Sequence, residues 1–377
     1  MLVIRPLQEN DLDDLYTMAL NAGKGLTTLP ADRQLLQSKI NHARETFNQR
    51  CAPEAGLYLF ALEDIATGRA VGISGIQARV GLDEVFYNYR LSLTVNASKE
   101  LGVHVRTPTL QLSNDMTDTS EICSLLLSDE YKGGGNGLLL SRCRFMYLDE
   151  FRKHFSEKVF AEMRGVSDRN GQSPLWDALG AKFFDMEFSE ADKLSGLGNK
   201  SFIAELMPKY PIYVPMLPDA ARAVIGRVHE NTVPALKMLQ AEGFNFNGLV
   251  DIFDGGPVVE AFVHNIRTIR DSMNRYVMIN RKPMDLDAPP GERAMVSNRS
   301  FRDFRVTTLP VRFIGPETVR MPPEMAEALQ AQSGDSVRLA PLKEGGFWPI
   351  HSHREGDNFD ETSQNRIKKY RSHSSWD

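Results

Sequence analysis

Between Leu125 and Leu140 the chain reads LLLSDEYKGGGNGLLL. An apolar run ends, four glycines fall within positions 133–137, and an apolar, helix-forming segment begins. Few arrangements suit such a stretch. Glycine accepts positive φ and lets the main chain approach a ligand closely. Between a strand and a helix it leaves unpaired N–H groups at the positive end of the helix macrodipole, which makes an anion site. The spacing excludes two familiar phosphate loops. A P-loop needs Gly-Lys-Ser/Thr after its last glycine, yet Leu138 follows Gly137. Glycines 133, 135 and 137 do not make G-x-G-x-x-G, and no acidic residue ends a strand about twenty positions on. What remains is basic-x-x-Gly-x-Gly at Lys132, Gly135 and Gly137.

The flanking pattern gives this loop its setting. MLVIRPL reads as a strand, and helices follow over ENDLDDLYTMALNA and ADRQLLQSKINHARETF, the latter with Leu36, Ile40, Ala43 and Phe47 on one face. GLYLFALE and AVGISGIQARV read as a hairpin, YRLSLTV and TPTLQL as further strands, and SEICSLLLS as a central strand. The segment after the glycines is a helix with Phe145, Leu148 and Phe155 on one face, followed by a strand at KVFAEMRG, a short helix at SPLWDALG and a strand at AKFFDMEF. The sum is α+β: a mixed sheet flanked by helices, with the glycines at a strand-to-helix junction.

The proline-rich stretch PKYPIYVPMLP marks a boundary. Residues 1–210 are expected to form one domain, which carries the glycine loop, and 211–345 a C-terminal domain. In that second part ENTVPALKMLQAEGFNFNGLVDIF partly echoes NGQSPLWDALGAKFFDMEF. Residues 346–377 are polar and unpatterned and read as a mobile tail.

With 377 residues, 42% hydrophobic and 25% charged, the chain has the composition of a soluble globular protein. A net charge of -5 gives no sign of a nucleic-acid partner. The N-terminal segment lacks the profile of a signal peptide, and no apolar stretch approaches the ~20 residues of a membrane span. Cys51, Cys123 and Cys143 are odd in number and lack metal-ligand spacing, which fits a reducing cytoplasm and no metal.

Five histidines outside the tail offer a proton carrier: His42, His104, His154, His229 and His264. His229, in GRVHENTVPAL, immediately precedes a predicted helix N-terminus, where the macrodipole disfavours imidazolium. Residue type alone leaves all five open.

The Lys132–Gly137 spacing resembles the pyrophosphate loop of GNAT acyltransferases, with lysine where arginine or glutamine is usual. Over roughly residues 1–345 the chain resembles the bacterial arginine N-succinyltransferase family. The matching stretches include IRPLQENDLDDL, GKGLTTLP, YKGGGNGLLLSRCRFMYL, MRGVSDRNGQSPLWDALGAKFFDMEFSEADKLSG and VIGRVHENTVPALKMLQAEGF. The resemblance implies a GNAT-like fold, L-arginine and succinyl-CoA as co-substrates, and succinyl transfer to the α-amino group at the head of arginine degradation. It implies a main-chain contact to succinyl-CoA at Leu125, pyrophosphate binding by Lys132, Gly135, Asn136 and Gly137, and His229 as proton donor. An acetyl-CoA-dependent enzyme acting on another amine, and a non-catalytic paralogous subunit, are the competing readings. A homo-oligomer and a pairing with a paralogous subunit both stay open.

Overall fold

The first strand, β1 (Leu2–Pro6), ends up in the interior of the sheet. It pairs antiparallel with β2 (Leu57–Asp64) along its whole length. Its other edge meets β13 (Val306–Pro310) at Ile4 and Val306, where the Thr307 hydroxyl donates to the Leu2 carbonyl at 2.8 Å. This computed structural model describes residues 1–22, 29–168, 172–184, 186, 206–280, 293–310, 313–314 and 317–343.

From β1 the sheet grows both ways. On one side follow β2, β3 (Arg69–Gln77), β6 (Ser120–Leu127), β7 (Lys158–Glu162), β10 (Pro257–Phe262), β9 (Asn245–Val250), β4 (Asn88–Ser98), β5 (Val103–Ser113) and the short β8 (Ile212–Tyr213). On the other side of β13 lie β12 (Arg293–Ser297), β16 (Ser336–Pro341), β11 (Met273–Ile279), β15 (Thr318–Met321) and β14 (Phe313–Ile314). The β6–β7 and β11–β15 contacts are parallel and the other ladders antiparallel, so the sheet is mixed as expected.

Local sequence explains the helices. In α2 (Arg33–Phe47) the Asp32 carboxylate accepts from the amides of Gln34 at 2.9 Å and Leu35 at 3.1 Å, capping the helix start. The periodic Leu36, Ile40, Ala43 and Phe47 are buried as their spacing requires. Helix α3 (Asn136–Glu150) differs, because it is buried continuously from Leu139 to Leu148. The sheet covers one side; Leu239, Phe244, Ile266 and Ile269 join the same apolar cluster, as do the rings of Phe301 and Phe304 around Tyr147. Two arginines of this helix therefore lie inside the protein. Arg142 joins Arg267 on the buried Glu242 carboxylate, each with a 2.7 Å contact.

Two expectations need correction. Ala181–Phe184 is helical, not the start of a strand, and it continues the wide turn Trp176–Gly180. Stacking of Phe184 on Trp176, with ring centres 5.3 Å apart, holds it inward. The strand half of the expected echo falls largely outside the described residues. Phe155 lies beyond α3, which ends where Phe151 leaves helical geometry, but it still packs in the same cluster as Phe145 and Leu148. Residues on both sides of position 210 share one core. Strand β10 pairs with β7 along five residues, and one apolar cluster joins Phe145 and Val159 to Leu239, Phe244 and Val259. A second cluster, built from Val277 to Leu339, lies under the strands beyond β13. The polar tail lies outside the described residues.

Candidate active site

The glycine loop follows β6, whose parallel pairing with β7 is short. Strands β6 and β7 run parallel but pair only at Ser120 with Val159 and Glu121 with Phe160. Beyond that point β6 stays on β3 and β7 stays on β10, so the two diverge. A bulge in β6 marks the divergence. Ser124 and Leu125 together oppose Ser74, because the register steps from Gly75–Cys123 to Ile73–Leu126. Ser124 takes φ 56°, a left-handed value unusual for a residue with a side chain. An extra residue bends a strand and turns its backbone out of the ladder. Leu125 thus sits in the bulge, on a strand edge that β7 no longer covers. An extended amide chain can pair with such an edge through main-chain groups.

At the open end of β6 the chain passes through Asp129–Tyr131 and the glycines into α3. Gly133, Gly134 and Gly135 have φ of 104°, 58° and 91°. Three consecutive left-handed residues need glycine. The Asn136 amide bonds back to Gly133 at 3.0 Å, and its side chain donates to the Tyr131 carbonyl at 2.9 Å, which fixes the loop. The amides of Gly133, Gly134, Gly135 and Gly137 take no acceptor among the described residues. A Cβ at Gly133 or Gly137 would meet no atom within 4 Å, so the loop faces open space. Together with the helix dipole this suits a pyrophosphate. Lys132 is exposed and ion-paired with Asp129, so it contributes a mobile charge at the rim.

His229 stands at the other arm of the cleft. Past β7 the chain continues through Met163, Arg164 and Gly165. The His229 amide donates to the Arg164 carbonyl at 2.9 Å, and Gly165 bridges Val228. Arg164 is five residues beyond Val159, as Leu125 is five beyond Ser120. The backbone of His229 is thereby held against the chain just past the end of β7. The turn 251–256 locks this seat. Asp254 accepts from the amides of Gly165 at 2.6 Å and Gly256 at 2.8 Å, and Gly226 donates to the Gly255 carbonyl at 2.8 Å. A side chain on Gly165 would collide with Asp254, and one on Gly256 with Met163, so both approaches require glycine.

The His229 ring accepts from the Asn231 amide through Nδ1 at 3.2 Å. The neutral ring therefore carries its proton on Nε2, the nitrogen left for a ligand. Burial lowers the pKa of His229 below its usual 6.5; the Arg164 charge lowers it further, and Glu230 opposes them. Of the other histidines, His42 lies in α2, His104 in β5, His154 in the turn after α3 and His264 in the turn after β10. None of those elements borders the cleft as the 226–229 segment does.

Other charged and thiol groups of these strands and their flanks have settled roles. Arg90 bonds Asp115 through Nε at 2.6 Å, and Arg79 bonds Asp118 at 2.5 Å, so these charges neutralise one another. Burial pushes the Cys123 thiol in β6 up to about 11, which leaves no thiolate there at neutral pH. Sequence reasoning missed the Asp254 clamp and the Ser124 bulge. The clamp had a signal in the Gly255–Gly256 pair and Gly165, glycines outside any predicted hairpin.

A parallel pair that splays at a bulge, with an anion-ready helix start at its mouth, defines an α+β fold of the GNAT-like acyltransferase class. A family model described as arginine N-succinyltransferase beta subunit matches residues 2–268, and the model of that subunit's C-terminal domain matches 280–341. The chain belongs to the arginine N-succinyltransferase family and is an acyltransferase. The arginine N-succinyltransferase subunit beta of Pseudomonas aeruginosa is 49% identical over 341 residues, covering 90% of this chain and 98% of that protein. An arginine N-succinyltransferase of Yersinia pestis is 45% identical over 345 residues, covering 91% and 98%. The solved structure of arginine/ornithine succinyltransferase subunit AI from Pseudomonas aeruginosa matches with a TM-score of 0.82 at 36% identity, covering 91% of this chain and 99% of that one. Among the described residues no helix is long and apolar enough to cross a membrane.

Proposed function

We propose that this chain transfers the succinyl group of succinyl-CoA to the α-amino group of L-arginine, giving N2-succinyl-L-arginine and CoA, as the first step in degrading arginine to glutamate in the cytoplasm. The observation that carries the reading is the β6–β7 cleft, with the glycine loop at one side and His229 at the other, in a chain that matches arginine N-succinyltransferases along 90% of its length.

The amides from Gly133 to Gly137 and Lys132 hold the pyrophosphate, with Asn136 fixing the loop. The pantetheine arm lies along the bare edge of β6 and pairs with main-chain groups at Leu125. This leaves the thioester at the bulge, facing His229. The amine nitrogen attacks the thioester carbonyl, the C–S bond breaks, and the proton lost by the amine balances the one gained by the CoA sulfur. His229 donates a hydrogen bond from Nε2 to the departing sulfur. Full transfer of a proton requires the cationic ring, which must give up the Asn231 contact, and burial and Arg164 both oppose that state. The histidine is therefore tuned as a hydrogen-bond donor that becomes an acid only as the amine's proton arrives.

The ribbon of residues 92–108 lies beyond the pairings of β4 with β9 and of β5 with β8. It exposes Leu93, Val95, Leu101, Val103 and Val105, which supports association with a second subunit, identical or paralogous.

The test is release of free thiol from succinyl-CoA by the purified chain, with L-arginine, L-ornithine or no amine, and acetyl-CoA as the alternative donor. Arginine-dependent release specific to succinyl-CoA is expected. Equal release from acetyl-CoA, or none with any amine, overturns the reading.

A further inference from the structure

Arg164 differs from other basic residues of these strands and their flanks. Arg79 and Arg90 are each bound to a carboxylate, and Lys158 in β7 pairs with Glu260. Arg164 is half-buried, and its guanidinium bonds only the Ser167 hydroxyl, at 2.9 Å; among the described residues no carboxylate meets it. A partly desolvated guanidinium without a counter-ion is costly to keep, and its planar fork suits a carboxylate above other anions. Its backbone carbonyl accepts from the His229 amide at 2.9 Å just past the end of β7, so the cation lies beside the histidine proposed as proton donor. Its charge is felt at the His229 ring.

We infer that Arg164 is a specificity-determining residue that binds a substrate carboxylate beside His229. The inference rests on the proposed reaction for its ligands. Each co-substrate brings one carboxylate close to the reacting centre: the succinyl terminus stands two methylenes from the thioester carbonyl, and the α-carboxylate of L-arginine shares a carbon with the attacking amine. Either lies within about 5 Å of the reacting atoms, so a side chain beside His229 reaches both positions. The chemistry recognised is the same, an aliphatic carboxylate held by a forked, charge-assisted pair.

Ratios of kcat/KM separate the two sources. The donor ratio compares succinyl-CoA with acetyl-CoA, which lacks the terminal carboxylate. The acceptor ratio compares L-arginine with agmatine, which lacks the α-carboxylate. Both are measured for the wild type, Arg164→Gln, Arg164→Lys and Arg227→Gln. Each ratio is internal to one preparation, so a misfolded fraction cancels. Arg164→Gln is expected to lower one ratio about 10- to 100-fold, the worth of a hydrogen-bonded charge pair. A fall in the donor ratio assigns the succinyl carboxylate; a fall in the acceptor ratio assigns the α-carboxylate. Arg164→Lys should restore part of the lost ratio, and Arg227→Gln, which removes an exposed cation two residues from His229, should change neither. Both ratios within threefold of wild type in Arg164→Gln, or equal shifts in Arg227→Gln, overturn the inference. If the wild type turns over no amine, the proposed reaction fails by itself. Calorimetric Kd ratios for the same four compounds then decide the role of Arg164, with the same thresholds.

Discussion

Replacing Asp254 with asparagine tests whether the position of His229 depends on the turn that clamps it. The carboxylate is buried and accepts from the Gly165 amide at 2.6 Å and the Gly256 amide at 2.8 Å. Asparagine keeps one acceptor and turns an NH2 toward the second amide. One charge-assisted bond is lost and one buried N–H is left facing a donor, a cost of about 1.5–3 kcal/mol. Because Gly165 bridges Val228 and Arg164 accepts from His229, relaxation at this point moves the imidazole. A displacement of about 1 Å in a catalytic group costs on the order of 100-fold in rate. The glycine loop belongs to another segment and keeps its geometry. The expected result is kcat lower by about 100-fold, an almost unchanged KM for succinyl-CoA, and a thermal midpoint lower by a few degrees. Steady-state thiol release and differential scanning fluorimetry on the same preparation read all three. A lowered midpoint with unchanged kcat would show that His229 is held by something else, and would refute the reasoning.

Gly135→Ala forces a side chain onto φ 91°, and the strain of about 1–3 kcal/mol should raise KM for the CoA thioester roughly tenfold or more with kcat nearly constant; inhibition by free CoA should weaken in parallel. For His229 the folded pKa lies below 6.5, so the working neutral ring is lost as pH falls through that lower value, and kcat/KM should show an acid limb below 6.5 that His229→Gln removes. The same depression means that the unfolded chain binds the proton more readily, so this residue's contribution to stability shrinks as pH drops from 6.5 through the folded pKa, measurable as a smaller loss of midpoint with acid in His229→Gln. Glu242→Gln removes the carboxylate from the buried Arg142 and Arg267, and should destabilise by about 3–5 kcal/mol in denaturant titrations without altering KM.

What the sequence made legible is what local chemistry encodes. The face of α2 shows in the spacing of Leu36, Ile40, Ala43 and Phe47, and the β2–β3 hairpin shows in two apolar runs around a turn. The glycine loop is readable because backbone geometry alone demands those residues. Other features depend on partners far along the chain. SEICSLLLS looks like an ordinary strand, and nothing in it announces that Ser124 takes a left-handed φ; the neighbouring ladder on β3 imposes the extra residue. The seat of His229 joins residues 163–165, 226–229 and 251–256, so no window of sequence contains it. For α3 the face read from Phe145 and Leu148 is only part of what is buried, because the helix is covered from the sheet side and from outside. At Ala181–Phe184 apolar content suggested a strand, but the Trp176–Phe184 stack selected a helix.

The placement of β1 bears on how the molecule is made. Residues 2–6 are synthesised well before residues 306–310, for which one edge of their strand waits. At ~5–20 residues per second, about 300 residues separate those events by roughly 15–60 s. During synthesis β1 can join β2 early, but its far side stays an open strand edge able to pair with a neighbouring nascent chain. Closure of the sheet, and with it the attachment of the strands beyond β13, cannot precede translation of residues 306–310. Stalling or truncation ahead of Val306 would leave a cleft-bearing fragment with an adhesive border.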